Sequence, residues 1–354
     1  MHHIAMKKTI CFIIIFTFFF GIDIVKAEQE WISQSIDLAI NAHFAEAESL
    51  LTARMSRGDS SVELYFYYAS VLNSKMTHNE NYDDGEHFLN LLQRVIRMSD
   101  RQLQTADSLL NSRKRAELLF YRGSAYGYLA YYEGQTGKWY QAMSNGFKAI
   151  DDLRLAVETD STLYDAYLGI GVYYYWKSTK LKFILWLPFF PDRREEGIEL
   201  IKKSIRNNAI GKYMAMHQLV YILLDYGDYD SALKYAKRLA AAYPQSPFMW
   251  WAYAHTFYKR HEYKQAIHAY NKLLGIIEEK NPLNLMHWLH AHVMLAEIYQ
   301  RIGDSENSVY HCQLVLRNKY PAEQMSERGL ERLEKAKEIL QKEQSKIASD
   351  GPSK

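Results

Sequence analysis

DSTLYDAYLGIGVYYYW, residues 160–176, is the stretch whose reading decides the fold. Asp160, Ser161, Thr162 and Leu163 lead into a segment in which Tyr167, Ile170, Gly171 and Tyr174 recur at helical spacing. A small residue at Gly171 lets two helices approach closely, and the large residues fill the space on either side. Such a segment is one half of a helix pair.

The pairing recurs along the chain. Tyr229-Asp230-Ser231-Ala232 and Tyr263-Lys264-Gln265-Ala266 lie 34 residues apart, as do Met216 and Trp250, and Trp31 and Tyr65. Other intervals, such as Ala69 to Gly123 and Gly171 to Val220, exceed that period, and insertions in repeat arrays map to loops or helix extensions. This 34-residue period resembles the tetratricopeptide repeat family. In that family's first helix an aromatic, a Leu-Gly-like pair and a second aromatic occupy the places filled here by Tyr167, Ile170, Gly171 and Tyr174. The small places of its second helix match Ala232 and Ala236, Ala266 followed by Tyr270, Ser308 and Cys312, and Ala47 after Phe44. Pro244 ends its helix where the family carries proline, because proline cannot continue a helix.

The resemblance implies an all-α fold, a right-handed superhelical solenoid of about six helix pairs over residues 28–320. A capping helix follows over 321–344, wet on Glu331, Glu334, Lys335, Lys337 and Glu338, and then a disordered tail over 345–354. Composition agrees with such packing. The 354 residues are 48% hydrophobic, with 28 tyrosines but only 7 prolines and 17 glycines. Few breakers and many aromatics suit long packed helices better than a turn-rich β-sandwich.

Residues 1–27 have the form of a secretory signal. Lys7 and Lys8 precede the uncharged run Thr9–Phe20, and Val25-Lys26-Ala27 offers a cut site. The run is shorter than the roughly 20 residues needed to span a bilayer, although retention as an anchor is the alternative. Cleavage after Ala27 removes three lysines and Asp23, which leaves the exported chain neutral, with Cys312 its one thiol. An internal disulfide is then impossible, so stability must come from packing. Periplasmic export is expected. The full-chain net charge of +2 gives no reason to expect nucleic acid.

In the tetratricopeptide family, certain places of the first helices face the concave side. The resemblance carries these onto Phe66, Phe120, Tyr128, Leu168, Val172, Tyr175, Trp176, His217, Tyr221, Leu224, Trp251, His255 and Tyr258. The wall they imply is aromatic and nearly uncharged, suited to a peptide or a helix. The other reading of the same rings is core, with the groove filled. The carboxylate clamp of the chaperone-binding members is absent, since Phe120, Leu168, His217 and Trp251 stand where its cations would be.

The run KLKFILWLPFFPDRR, residues 180–194, carries Phe183, Ile184, Leu185, Trp186, Leu187, Phe189 and Phe190 with no polar side chain among them. It reads either as a buried hairpin or as a docking loop for a protein or a membrane face. Leu187, Pro188, Asp192, Arg193, Gly197, Ile198 and Leu200 resemble a eukaryotic tetratricopeptide family linked to inclusion-body clearance.

Chemistry-bearing motifs are thin. His287 and His290 can share a helix face, but His292 points elsewhere, and two ligands do not make a zinc site. Glu80, Asp83 and Asp84 lack the spacing of a calcium loop. No nucleophile motif or phosphate-cradling loop is present. The expectation is a non-enzymatic scaffold for a protein or peptide partner, with no cofactor and no metal. The alternative is a lipid-handling component that holds a hydrophobic ligand inside the superhelix.

Overall fold

The computed structural model describes residues 30–105, 111–180, 191–280, 284–321 and 325–349. The expected signal segment and the apolar run Phe183–Phe190 lie outside the described residues. Among the described residues there is no strand, and fifteen helices follow one another. They are α1 (30–40), α2 (Phe44–Ser56), α3 (Val62–Asn79), α4 (Gly85–Thr105) and α5 (Ser112–Gln135), then α6 (Trp139–Thr159), α7 (Ala166–Lys180), α8 (Arg194–Arg206), α9 (Lys212–Tyr226) and α10 (Tyr229–Ala242). The last five are α11 (Pro247–Lys259), α12 (Tyr263–Glu278), α13 (Leu285–Arg301), α14 (Ser305–Arg317) and α15 (Glu327–Ser349). The first fourteen form seven hairpin pairs, one beyond the count of about six read from the sequence. The long α4, α5 and α6 stretch the period there and blur the register.

Local chemistry sets the helix ends. Ser61, Asn111, Asp228, Ser246, Asn284 and Asp304 each accept a backbone N–H bond from the third residue onward, and Pro247 opens α11. These side chains satisfy donors that the first helical turn leaves free. Gly227 and Gly303 turn the chain between paired helices with φ of 94° and 79°, a conformation glycine enters without a Cβ penalty.

The crossings need small residues. A Cβ on Gly171 would stand 2.5 Å from the Gly197 carbonyl oxygen and 2.7 Å from Ile201 Cγ1, and one on Gly197 would stand 2.5 Å from the Gly171 oxygen. Helices α7 and α8 therefore touch backbone to backbone. Gly123 plays the same part between α5 and α6, where a Cβ would meet that of Asp152 at 2.9 Å. On the second helices Ala47, Ala232, Ala236, Ala266, Ser308 and Cys312 are fully buried.

The array curves until its first pairs meet its last. Ser246 Oγ donates to the Ile40 carbonyl at 2.5 Å, and the Tyr243 hydroxyl donates to Asp37 at 2.5 Å. Lys280 Nζ reaches the Asn41 carbonyl at 3.2 Å, and Asn284 donates to the His78 carbonyl at 3.2 Å. Arg332 of α15 holds Glu80 through two bonds of 2.9 and 2.6 Å, and Ser326 donates to the same carboxylate at 2.6 Å. That guanidinium and hydroxyl hold the Glu80 carboxyl below the ordinary range against the opposing effect of burial.

Helix α15 caps the array as expected, with Ala336 and Ile339 buried and Glu331, Glu334, Lys335, Lys337 and Glu338 exposed. It does not stop at Gln344. It continues to Ser349, so residues 345–349 are helical, where a disordered tail was expected. Glu343, 2% exposed and bonded to Gln300 and Ser305, anchors this last part.

Two glycine substitutions test the crossings. Gly171→Leu should destabilise by about 1–3 kcal/mol or more, the cost of overpacking with backbone displacement. Gly146→Ala should stabilise by roughly 0.5–1 kcal/mol, because a Cβ there meets nothing within 4 Å and alanine favours helix. Thermal unfolding of the two variants should move in opposite directions; a shared direction would contradict the packing described.

Candidate functional site: the inner wall

Helices α3, α5, α7, α9, α11 and α13 are the first helices of successive pairs and carry the side chains expected on the inner wall. Near the amino end Phe66 packs against Phe120, Tyr121 and Tyr128, with ring centroids 5.8, 5.1 and 5.9 Å away. The Tyr128 hydroxyl lies 2.9 Å from Ser70 Oγ. Farther on, His217 meets Tyr221 at 5.1 Å, Tyr221 stacks on His255 at 6.4 Å, and His255 stacks on Tyr258 at 5.8 Å. The Tyr258 hydroxyl donates to Glu297 at 2.8 Å. Trp251 stacks on His290 at 4.4 Å, and its indole N–H donates to His287 Nδ1 at 3.3 Å.

The sequence-based set divides in two. Phe120, Tyr128, Leu168, Val172, Trp176, His217, Tyr221, Trp251, His255 and Tyr258 are partly buried and keep some surface. Phe66 and Tyr175 do not face an open groove. Phe66 is 6% exposed beneath the rings of α5, and Tyr175 is fully buried, its hydroxyl donating to Asp225 at 2.6 Å. The close approach at Gly171 and Gly197 seats α8 against the Tyr175 backbone and Cβ, and the Tyr175 ring packs beside Trp176 and Tyr226. Leu224 is buried as well.

Two contributors, His78 and Phe248, escaped the sequence reading. His78, at the end of α3, lies 4.2 Å from the His287 ring and 4.9 Å from Phe248, which in turn contacts His217 at 6.3 Å. They arrive only because the array closes on itself, so no periodic signal marks them. His287 and His290, weighed above as ligands, are ring partners of Trp251, and among the described residues no three His, Cys, Asp or Glu side chains converge as a metal site.

Burial keeps the rings of this wall uncharged. It pushes the imidazoles of His217 and His255 down to about 4 and those of His287 and His290 down to about 3, with neighbouring cations adding to the effect at His255 and His290. It pushes the phenols of Tyr221 and Tyr258 up to about 12, the latter helped by its bond to Glu297. No group among these is poised near neutrality for proton transfer. The arrangement recognises shape and aromatic character.

At the seam where α1 meets the α10–α11 turn and the end of α12 lies a cleft of about 750 Å³, lined by residues that include Asp37, His43, Gln245, Glu279 and Lys280. Its polar lining contrasts with the aromatic wall inside.

Helix pairs with small residues at their crossings, closed around an aromatic inner wall, define a helical-repeat solenoid. The repeat is of the tetratricopeptide kind: the tetratricopeptide repeat model matches residues 214–256, which run from α9 into α11. Among solved structures, the APC/C hetero-tetramer Cut9–Hcn1 is similar with a TM-score of 0.53 and 10% identity, over 88% of this chain and 54% of that one. The type IV pilus biogenesis factor PilW has a TM-score of 0.48 and 16% identity, over 72% of this chain and 96% of that one. A tetratricopeptide repeat protein from Parabacteroides merdae has a TM-score of 0.40 and 15% identity, covering 88% and 99%. At these identities the likeness concerns the fold alone. No curated protein matches the chain by sequence.

The buried imidazoles fix a pH dependence. Histidines titrate near 6.5 in an unfolded chain, whereas His217, His255, His292 and His311 titrate near 4 and His287 and His290 near 3 when folded. Below pH 6.5 the unfolded chain therefore binds more protons. Stability is complete above about 6.5 and falls as pH drops toward about 4, each such group contributing up to about 1.4 kcal/mol per pH unit. Urea unfolding should show a lower midpoint at pH 5 than at pH 7, and His290→Gln should flatten that difference. Equal midpoints in the parent protein would mean the imidazoles are open to solvent.

Proposed function

We propose that this protein is an exported, non-catalytic scaffold that binds a protein or peptide partner along the concave face. One observation carries the reading: partly buried aromatic and neutral imidazole rings, in one chain of contacts from His217 through Tyr221 and His255 to Tyr258 and in a second group of Trp251 with His287 and His290. Rigid aromatic rings give large contact area at little entropic cost, and interface energy concentrates in such anchors. A partner suited to this wall presents apolar or aromatic side chains with few charges, since the rings themselves are uncharged. The basic start and apolar run of residues 1–27 support export to the periplasm.

Storage of an acyl chain inside the superhelix is less well supported. Its inner rings stack on one another, as Tyr221 does on His255 and Trp251 on His290.

Truncation separates wall from core on the same helix. Trp176→Ala and Tyr221→Ala should each weaken a partner captured from envelope extract by about 2 kcal/mol, measured by calorimetry. Thermal unfolding should change less in these variants than in Tyr174→Ala. That ring is 6% exposed and packed beneath the Arg193 guanidinium at 3.4 Å. Undiminished affinity in both variants would place the binding surface elsewhere. Cell fractionation that leaves the protein in the cytosol would overturn export.

A further inference from the structure

The seam between the two ends of the array is a line of contacts, and histidines occupy its first half. At one end the α1–α2 turn meets α12, where Lys280 Nζ donates to His43 Nε2 at 2.9 Å as well as to the Asn41 carbonyl. In the middle the end of α3 meets the start of α13, where the rings of His78 and His287 stand 4.2 Å apart, edge to face. At the far end Arg332 and Ser326 hold Glu80.

Each of these imidazoles fits its place only without a second proton. An ammonium donates and never accepts, so His43 Nε2 offers its lone pair to Lys280. A proton there removes the bond and sets two cations against each other. His287 Nδ1 accepts the Trp251 indole N–H at 3.3 Å, and a proton on it would oppose that hydrogen. His78 is 7% exposed, and its buried Nδ1 has no hydrogen-bond partner among the described residues. A proton added at that nitrogen would meet no acceptor. Burial holds both rings below the ordinary imidazole range, His287 down to about 3.

Neighbouring charges offset little of this in the middle of the seam. Around His78 stand Phe44 of α2 and Phe248 of α11, which do not titrate, with Lys280 of α12 and His287 of α13. The one carboxylate acting on it, Glu80, is already taken by Arg332. On His287, His290 and Arg332 act in the same direction as burial. The His43 end differs, because Glu46 lies 3.7 Å from Nδ1 and Glu30, Asp37 and Glu279 line the cleft beside it. The acid response therefore centres on the pair in the middle.

We infer that this seam is an acid-operated latch: protonation of His78 and His287, aided by His43, parts the α1–α2 turn and the end of α3 from α12 and α13 while every helix pair stays folded. Opening frees the rings into water without undoing a helix, which costs less than global unfolding. Despite burial, Arg332 and Ser326 hold the Glu80 carboxyl below the ordinary range, so that pair survives mild acid. The seam thus parts from the α1 end and pivots about Glu80 and Arg332. The direction follows from proton count. Exposed imidazoles bind protons near 6.5 and the closed seam binds them well below that, so opening gains as pH falls beneath 6.5. Two such groups shift the balance by up to about tenfold each per pH unit, or roughly a thousandfold together by pH 5. Closure responds in this way whether or not the concave face binds a partner.

Spin labels at Ser49→Cys on α2 and Asn271→Cys on α12, both exposed, report the gap in the full chain, and the native Cys312 is buried. Double electron–electron resonance should give one distance at pH 7 and a longer one that dominates at pH 5, with far-ultraviolet circular dichroism unchanged. His43→Gln, His78→Phe and His287→Gln together should keep the short distance at pH 5. Glutamine still accepts from Lys280 and Trp251, and phenylalanine cannot gain a proton. Should that variant lack the parent distance at pH 7, His78→Gln alone takes its place and should reduce the shift at pH 5 by about thirtyfold. An unchanged distance in the parent at pH 5 would overturn the latch, as would lengthening accompanied by lost helicity. Lengthening that persists undiminished in the variants would do the same.

Discussion

The structure depends on how closely paired helices can approach. At Gly171 and Gly197 the approach is limited by backbone atoms themselves, and at Gly123 by a single Cβ of the facing helix. Elsewhere buried alanines serve, as at Ala69, Ala254 and Ala296 on first helices and Ala232 and Ala266 on second ones. Bringing axes together at one point tilts neighbouring pairs by a set amount. Summed over seven pairs, that tilt curves the array enough for its two ends to meet. The inner wall and the seam follow from that curvature.

Much of this was legible in the sequence, for a physical reason. Small residues at crossings must recur at the repeat period, so Ala47, Ala232, Ala266, Ser308 and Gly171 were visible from spacing, and each is buried where it was expected. The inner wall was half legible. Places facing inward follow from the register, yet whether a ring there is exposed depends on what the next pair lays over it. Tyr175 shows the difference, since it is fully buried, with its ring beside Tyr226 of the next pair and its hydroxyl on Asp225. Contacts at the seam were invisible. Glu80 stands in the sequence only as one of three acidic residues without the spacing of a calcium loop, and its partner Arg332 lies 252 residues away on the capping helix.

The wall's chemistry is as telling as its shape. Seven imidazoles are held uncharged by burial, and His78 Nδ1 has no hydrogen-bond partner among the described residues. Burying such groups is unfavourable unless the surrounding packing compensates. Histidine contributes an aromatic face that stacks, as on Trp251 and Tyr221, together with a ring nitrogen that accepts the Trp251 indole N–H. A leucine there would supply neither.

The seam changes how the chain acquires its structure. Open solenoids hold only neighbour contacts, so each repeat gains support as soon as the next is made. Here Asp37, Ile40 and Asn41 are bonded to residues between 243 and 280, and Glu80 waits for Arg332. Such pairings raise the contact order, and the loop they close costs entropy before any contact returns it. During synthesis the first pairs emerge with one edge bare and keep it so until the last helix is available. Ring closure then locks both ends in one step, which makes unfolding a single cooperative event where an open array would fray repeat by repeat.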